Sequence, residues 1–156
     1  MTDLPKLALS IRQPWAYAIM NLGKDIENRS WRPRSFLPFD ICIHAALGMK
    51  RHEMTDAFEF IDKAAPLASP RDCLRRQNTI LNDARHGGIV AVATVTDFVT
   101  ESDSPWFTGP YGWVLENVRP VDFIPVRGAL GLFPWRDRIE RSTGRASLLT
   151  SIQQAD

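Results

Sequence analysis

The run Gly88-Ile89-Val90-Ala91-Val92-Ala93-Thr94-Val95-Thr96-Asp97-Phe98 is dense in β-branched and small apolar residues. A strand with one wet face alternates apolar and polar side chains, whereas this run is apolar at both alternating sets. It therefore reads as a central strand covered on both sides. The rest of the chain has to supply that cover.

Downstream, Tyr111 to Val118 and Val121 to Arg127 read as two further strands, split near Arg119-Pro120, and Gly128 to Trp135 as a tight Gly/Pro-punctuated turn. Upstream, Met54, Ala57, Phe58, Ile61 and Ala65 keep helical spacing over 50–65, and Pro66 and Pro70 end that helix. A second helix starts near Ser69-Pro70, with Ser69 as N-cap, and runs to about Ala84. Further back, Phe39 to Ala45 is a strand with Phe39, Ile41, Ile43 and Ala45 on one face and Asp40, Cys42 and His44 on the other.

The chain opens on a short strand, Leu7 to Ile11. A helix follows with Trp15, Ala18, Ile19 and Leu22 on one apolar face, and Gly23 ends it. Asp25 to Trp31 is then a strand, and Arg32 to Pro38 a Pro-bounded loop. Strand, helix, two strands, two helices and three strands do not alternate as a parallel α/β fold does. They predict an α+β fold, a small mixed sheet or barrel with helices packed outside.

The 156 residues, 44% hydrophobic and 24% charged, suit one ordinary domain and exclude a disordered or collagen-like chain. No apolar run is long enough for a membrane span, and the start lacks the basic-then-apolar layout of a secretory signal, so a cytoplasmic protein is expected. Cys42 and Cys73 read as small thiols rather than a disulfide framework. His44, His52 and His86 show no metal-ligand spacing, and neither a metal nor a cofactor is expected. The formal net charge of +1 hides an asymmetry. Residues 6–51 carry a local balance of +5, and residues 52–156 one of −3. A basic third attracts an anionic partner to one face, or is simply solvated.

The densest polar signal is Gly23-Lys24-Asp25-Ile26-Glu27-Asn28-Arg29, which follows a helix stop and enters a strand. At ~3.3 Å per residue, Glu27 and Arg29 point the same way about 7 Å apart. Such a pair either forms a salt bridge or receives a polar ligand.

Ser10-Ile11-Arg12-Gln13-Pro14-Trp15-Ala16, followed by Gly23-Lys24-x-x-Glu27-x-Arg29-x-Trp31, resembles the ASCH domain family. Gly112 to Glu116 and Val121 to Phe133 resemble the closing strands of that domain, so the likeness runs from about Leu7 to Trp135. It is weaker over 49–87, which reads as a helical insertion. The expected organisation is one domain over 1–141 with a polar tail over 142–156.

The resemblance implies a PUA-like mixed β-barrel with flanking helices, and a function in binding RNA or a modified nucleotide. It places Lys24, Glu27 and Arg29 in a cleft, with Ser10, Arg12 and Trp15 at its rim. Some members of the family are reported to cut RNA, and a small branch removes an acetyl group from a modified cytidine. The deacetylating members carry Thr where this chain has Glu27, so an amidohydrolase here would lean on Lys24 as base and on Glu116 or Asp97 as the distant carboxylate.

The residues add candidates of their own. Trp31, Trp106, Phe107, Tyr111 and Trp113 offer rings for base stacking, or else belong to the core, and Arg32 and Arg34 offer charges for phosphates. Ser104 to Pro110 is expected as a mobile lip over the cleft. His44, if it stands beside Lys24 and Glu27, would serve acid–base RNA cleavage. Otherwise its ring is satisfied by a neighbouring backbone group. Glu53, Asp56, Glu59 and Asp62 make the outer face of the 50–65 helix acidic, an ordinary solvated face or a surface for a protein partner.

Overall fold

The computed structural model describes residues 3–139, which excludes the polar tail expected over 142–156. Its elements are β1 (Leu7–Arg12), α1 (Trp15–Asn21), β2 (Ile26–Arg29), β3 (Phe39–Ala46), α2 (Arg51–Ala64), α3 (Pro70–Asp83), β4 (Gly88–Val99), β5 (Tyr111–Pro125) and β6 (Leu132–Pro134). The architecture is α+β. Six strands form one mixed sheet in the order β2-β5-β4-β3-β1-β6, curled into a half-barrel whose edges are β2 and β6. The pair β1/β3 is parallel, and the other ladders are antiparallel.

The central-strand reading holds. Ile89 to Ala93 and Val95 of β4 are buried, and the strand contributes to two separate clusters. Val90, Ala91, Ala93 and Val95 join Leu9, Ile11, Ile41, Ile43 and Trp113. Ile89 and Val92 join Ala8, Cys42, Val126, Phe133 and Trp135. A third cluster, with Ala18, Ile26, Phe58, Ile61, Ile80 and Trp106, packs α2 and α3 beside β2.

Three expectations about the strands are corrected. The segments on either side of Arg119-Pro120 form one strand, β5, because β4 pairs along its whole length. The irregularity is taken up by register shifts and by Asn117 at φ 52°, a left-handed conformation that Asn tolerates at a bulge. Pro120 breaks no ladder on its other side, since β2 pairs only with Tyr111 to Val114. The Gly128–Trp135 segment is more than a turn, because Leu132 to Pro134 adds β6 antiparallel to β1. The strand expected over 25–31 is shorter, ending at Arg29.

Helix ends follow local chemistry. Ser69 Oγ accepts from Asp72 N at 3.2 Å, and Pro70 occupies the first turn. Gly23, at φ 73°, turns the chain from α1 into β2. Gln13 of the R-Q-P-W stretch is 4% exposed; its Oε1 accepts from Tyr17 N at 2.8 Å and its Nε2 donates to Arg85 O at 2.8 Å. It braces α1 against the chain returning from α3. Among the described residues no helix is long and apolar enough to cross a membrane.

Candidate functional site

The turn at Gly23 sends Lys24 and then β2 beneath α1, and the polar residues of this segment are folded inward. Lys24 and Glu27 are 4% and 8% exposed. Lys24 Nζ lies 3.2 Å from Glu27 Oε2, donates to the Ile26 carbonyl, and stands 5.7 Å from the centre of the Trp15 ring. Arg29 Nε approaches Glu27 Oε1 to 3.3 Å without making a hydrogen bond, and an Arg29 terminal nitrogen donates to Ser10 O at 2.7 Å. One carboxylate is thus held between two cations, and Arg29 ties that row to β1.

Beside this row is a cavity of about 180 Å³ lined by Trp15, Lys24, Glu27, Asn28, Phe60 and Thr108. A cavity of ~150 Å³ is enough for one six-membered ring. Trp15 and Phe60 form its aromatic wall, edge to face with centroids 5.5 Å apart, and Trp106 backs Phe60 at 6.1 Å. The chemistry is that of an aromatic slot with an anion and a cation at its base. Such a slot takes a planar ring bearing both hydrogen-bond donors and acceptors. Buried ion pairs contribute little net stability over apolar packing, so the row is costly to keep for folding alone.

Of the residues expected here, Trp15, Lys24 and Glu27 line the cavity. Arg29 supports Glu27 from behind, and Ser10 contributes its backbone oxygen to Arg29. Arg12 is exposed and pairs with Glu53 of α2 at 3.5 Å. Arg32 and Arg34 are on the loop after β2, where neither is buried. Trp31 packs edge to face on Trp113 at 5.1 Å.

Trp113 is a correction. It is fully buried, donates Nε1 to Trp31 O at 3.2 Å, and packs on Phe98, so it is core rather than a stacking platform. Burying a ring of that size stabilises by roughly 4–6 kcal/mol, which explains why the interior takes it.

His44 is the second correction. Its side chain leaves β3 on the Cys42 side, away from the cavity, and is 1% exposed. Nε2 bonds Val126 O at 2.7 Å, Nδ1 pairs with Ser10 Oγ at 2.9 Å, and Phe133 packs edge-on. Gly128 closes this pair, since a Cβ there would meet His44 Cε1 at 2.8 Å. Burial pushes the imidazole below its ordinary range, against the Val126 hydrogen bond and with a small push from Arg138. His44 is held in the core by Val126 and Ser10 and does not stand beside Lys24 and Glu27.

The expected mobile lip is tethered. Asn28 Nδ2 donates to Trp106 O at 2.9 Å, and Asn28 Oδ1 accepts from Thr108 N and Gly109 N at 2.9 and 3.1 Å. Ser104 Oγ donates to Asp25 Oδ1 at 2.6 Å. One amide therefore holds the loop that delivers Thr108 to the cavity.

Sequence reasoning does not single out Asn28, Phe60 and Thr108 as site residues. Phe60 carries a signal, being an aromatic off the apolar stripe of α2, and Asn28 stands inside the polar motif. The acidic face of α2 is largely consumed internally, with Glu53 on Lys50 N and Arg12, Glu59 on Lys63, and Asp62 on Arg76. Among the described residues no three His, Cys, Asp or Glu side chains converge as a metal site requires. No family model matches this chain, and no curated protein matches it.

Proposed function

We propose that this chain is a cytoplasmic, PUA-like module that binds RNA or a modified nucleotide, holding one base in the cavity beside β2. The observation that carries this reading is the buried Lys24–Glu27 pair at the base of a ring-sized aromatic slot. A base stacked on one exposed face of this edge-to-face aromatic wall gains ~1–3 kcal/mol, as in single-strand binders. Glu27 then accepts from base N–H groups, and the remaining Lys24 proton meets a base carbonyl or ring nitrogen. Arg32 and Arg34 lie at the surface to meet phosphates, and Arg12 joins them by exchanging Glu53 for a phosphate. The resemblance of the R-Q-P-W and G-x-K-x-x-E-x-R segments to the ASCH family points the same way.

A second reading keeps the cavity and adds chemistry. Thr108 lines the same cavity as Lys24 and Glu27, and on this reading its side chain provides the hydroxyl that the motif itself lacks. On this reading the protein is a hydrolase of RNA or of an acylated nucleoside. One experiment separates the two. Purified protein is incubated with labelled single-stranded RNA and with acetylated cytidine, and both bound fraction and product are followed. Saturable binding without product, weakened by Trp15→Ala, supports the binding module. Time-dependent product that is lost in Lys24→Ala supports the hydrolase. Neither binding nor product with any of these ligands refutes both.

A further inference from the structure

The helical insertion carries a second polar surface that the cavity does not use. The outer face of α3 forms an open groove of about 560 Å³ lined by Arg71, Leu74, Arg75, Asn78, Thr79 and Asn82. All six residues are exposed, and none of them is a carboxylate. Arg71 and Arg75 make no ion pair among the described residues, in contrast to Arg76. That third arginine is turned inward, bonding Asp62 at 3.1 Å and Ala65 O at 2.7 Å, and it fixes α3 against α2.

Local physics disfavours this arrangement in isolation. Arg71 sits in the first turn, where the helix dipole repels cations. Arg71 and Arg75 are like charges at i,i+4, a spacing that weakens a helix. Asp72 in the same turn complements the dipole, but no ion pair among the described residues offsets the Arg71–Arg75 repulsion, and an external anion would.

We infer that the outer face of α3 is a phosphate-backbone contact for single-stranded nucleic acid. This rests on the cavity reading for the strand's identity. The geometry favours an extended polyanion. Positions 71, 75 and 78 run along one face for roughly 10 Å at the helical rise, a line of donors rather than a single pocket, and it ends where Asn82 already donates to Asp83 at 2.9 Å. Leu74 lies among them and offers an apolar surface to a sugar or base. A membrane-binding helix needs a broad apolar face with aromatic anchors, and this face has only Leu74 and Leu81, one pair seven residues apart. The same insertion supplies Phe60 to the cavity wall, so one strand can be read at its base by α2 and held along its backbone by α3.

The test uses the full chain, an unstructured 15-nucleotide RNA labelled at one end, and a single nucleoside monophosphate. Arg71→Gln/Arg75→Gln changes only exposed side chains and keeps good helix formers. Removing two charges that neutralise single-strand phosphates should flatten the slope of log affinity against log salt by about 1.4. Binding of the monophosphate should stay unchanged. An unaltered salt slope in the double variant, with RNA binding still abolished by Glu27→Gln, overturns the α3 contact and leaves the cavity standing. RNA binding abolished in the arginine variant but untouched by Glu27→Gln and Trp15→Ala supports α3 and refutes the cavity. Wild-type protein that binds vesicles of anionic lipid but no RNA overturns both.

Discussion

Replacing Glu27 with Gln removes the one anion from a row of three charges, of which Lys24 and Glu27 are buried and Arg29 partly so, and keeps the shape. Lys24, 4% exposed, would be left with the Ile26 carbonyl and an amide oxygen, and Arg29 would lose the carboxylate beside it. Breaking a buried pair by removing one partner costs ~3–5 kcal/mol, and the retained amide acceptor argues for the low end, about 3 kcal/mol. For a domain of this size that is a fall in Tm of about 6–12 °C. The reference is the double variant Glu27→Gln/Lys24→Met, which removes both charges and substitutes an apolar chain of similar length. Its Tm should recover most of the loss, since an uncompensated ammonium is the costly species. Melting curves by circular dichroism measure all three proteins. A single variant melting within about 2 °C of wild type, or a double variant less stable than the single, refutes the claim that Glu27 neutralises a buried Lys24. At a temperature where wild type and Glu27→Gln are both folded, RNA affinity of the single variant should still fall. That separates the ligand contact from the structural one.

Other consequences follow from individual contacts. Asn28→Ala removes three hydrogen bonds to the 106–109 loop; at ~1 kcal/mol each it should cost about 2–3 kcal/mol, and the Thr108 and Gly109 amides should exchange with solvent much faster. Unchanged exchange there would mean that Trp106 packing and the Ser104–Asp25 hydrogen bond hold the loop without Asn28. His44 has its folded-state pKa depressed chiefly by burial, so the unfolded chain binds its proton first as pH falls. Stability is therefore full above the ordinary histidine value and declines as pH drops from about 6.5 toward the lowered one. Melting temperatures at about pH 7.5 and 5.5 should show this step in wild type and lose it in His44→Gln. The Cys42 thiol, pushed up to about 11 by burial, should resist iodoacetamide in the native protein near neutral pH, whereas the less buried Cys73 reacts. Mass spectrometry showing Cys42 alkylated first would contradict its placement in the core.

Local signals in the chain are enough to place most elements. Gly23, the Ser69-Pro70 cap and the two-sided apolar run of β4 act within a few residues, so helix ends and the central strand are legible without any tertiary information. The motif Lys24-x-x-Glu27 is legible for the same reason, since three residues across a turn into a strand keep two charges close in almost any packing. What the sequence could not decide was covering and closure. His44 and Trp113 each sit where a local pattern allows either a wet or a dry face, and the choice fell to distant partners. Val126 and Phe133 bury His44, and Phe98 and Trp31 bury Trp113. β6 is three residues long and exists only because β1 offers it an edge. The cavity itself is a tertiary object: Phe60 and Thr108 stand 33 and 81 positions beyond Glu27 in the chain. No short-range propensity brings side chains that far apart into one slot. Packing of α2 on the Ile26–Phe58–Ile61–Trp106 cluster, and one amide at Asn28, decide it.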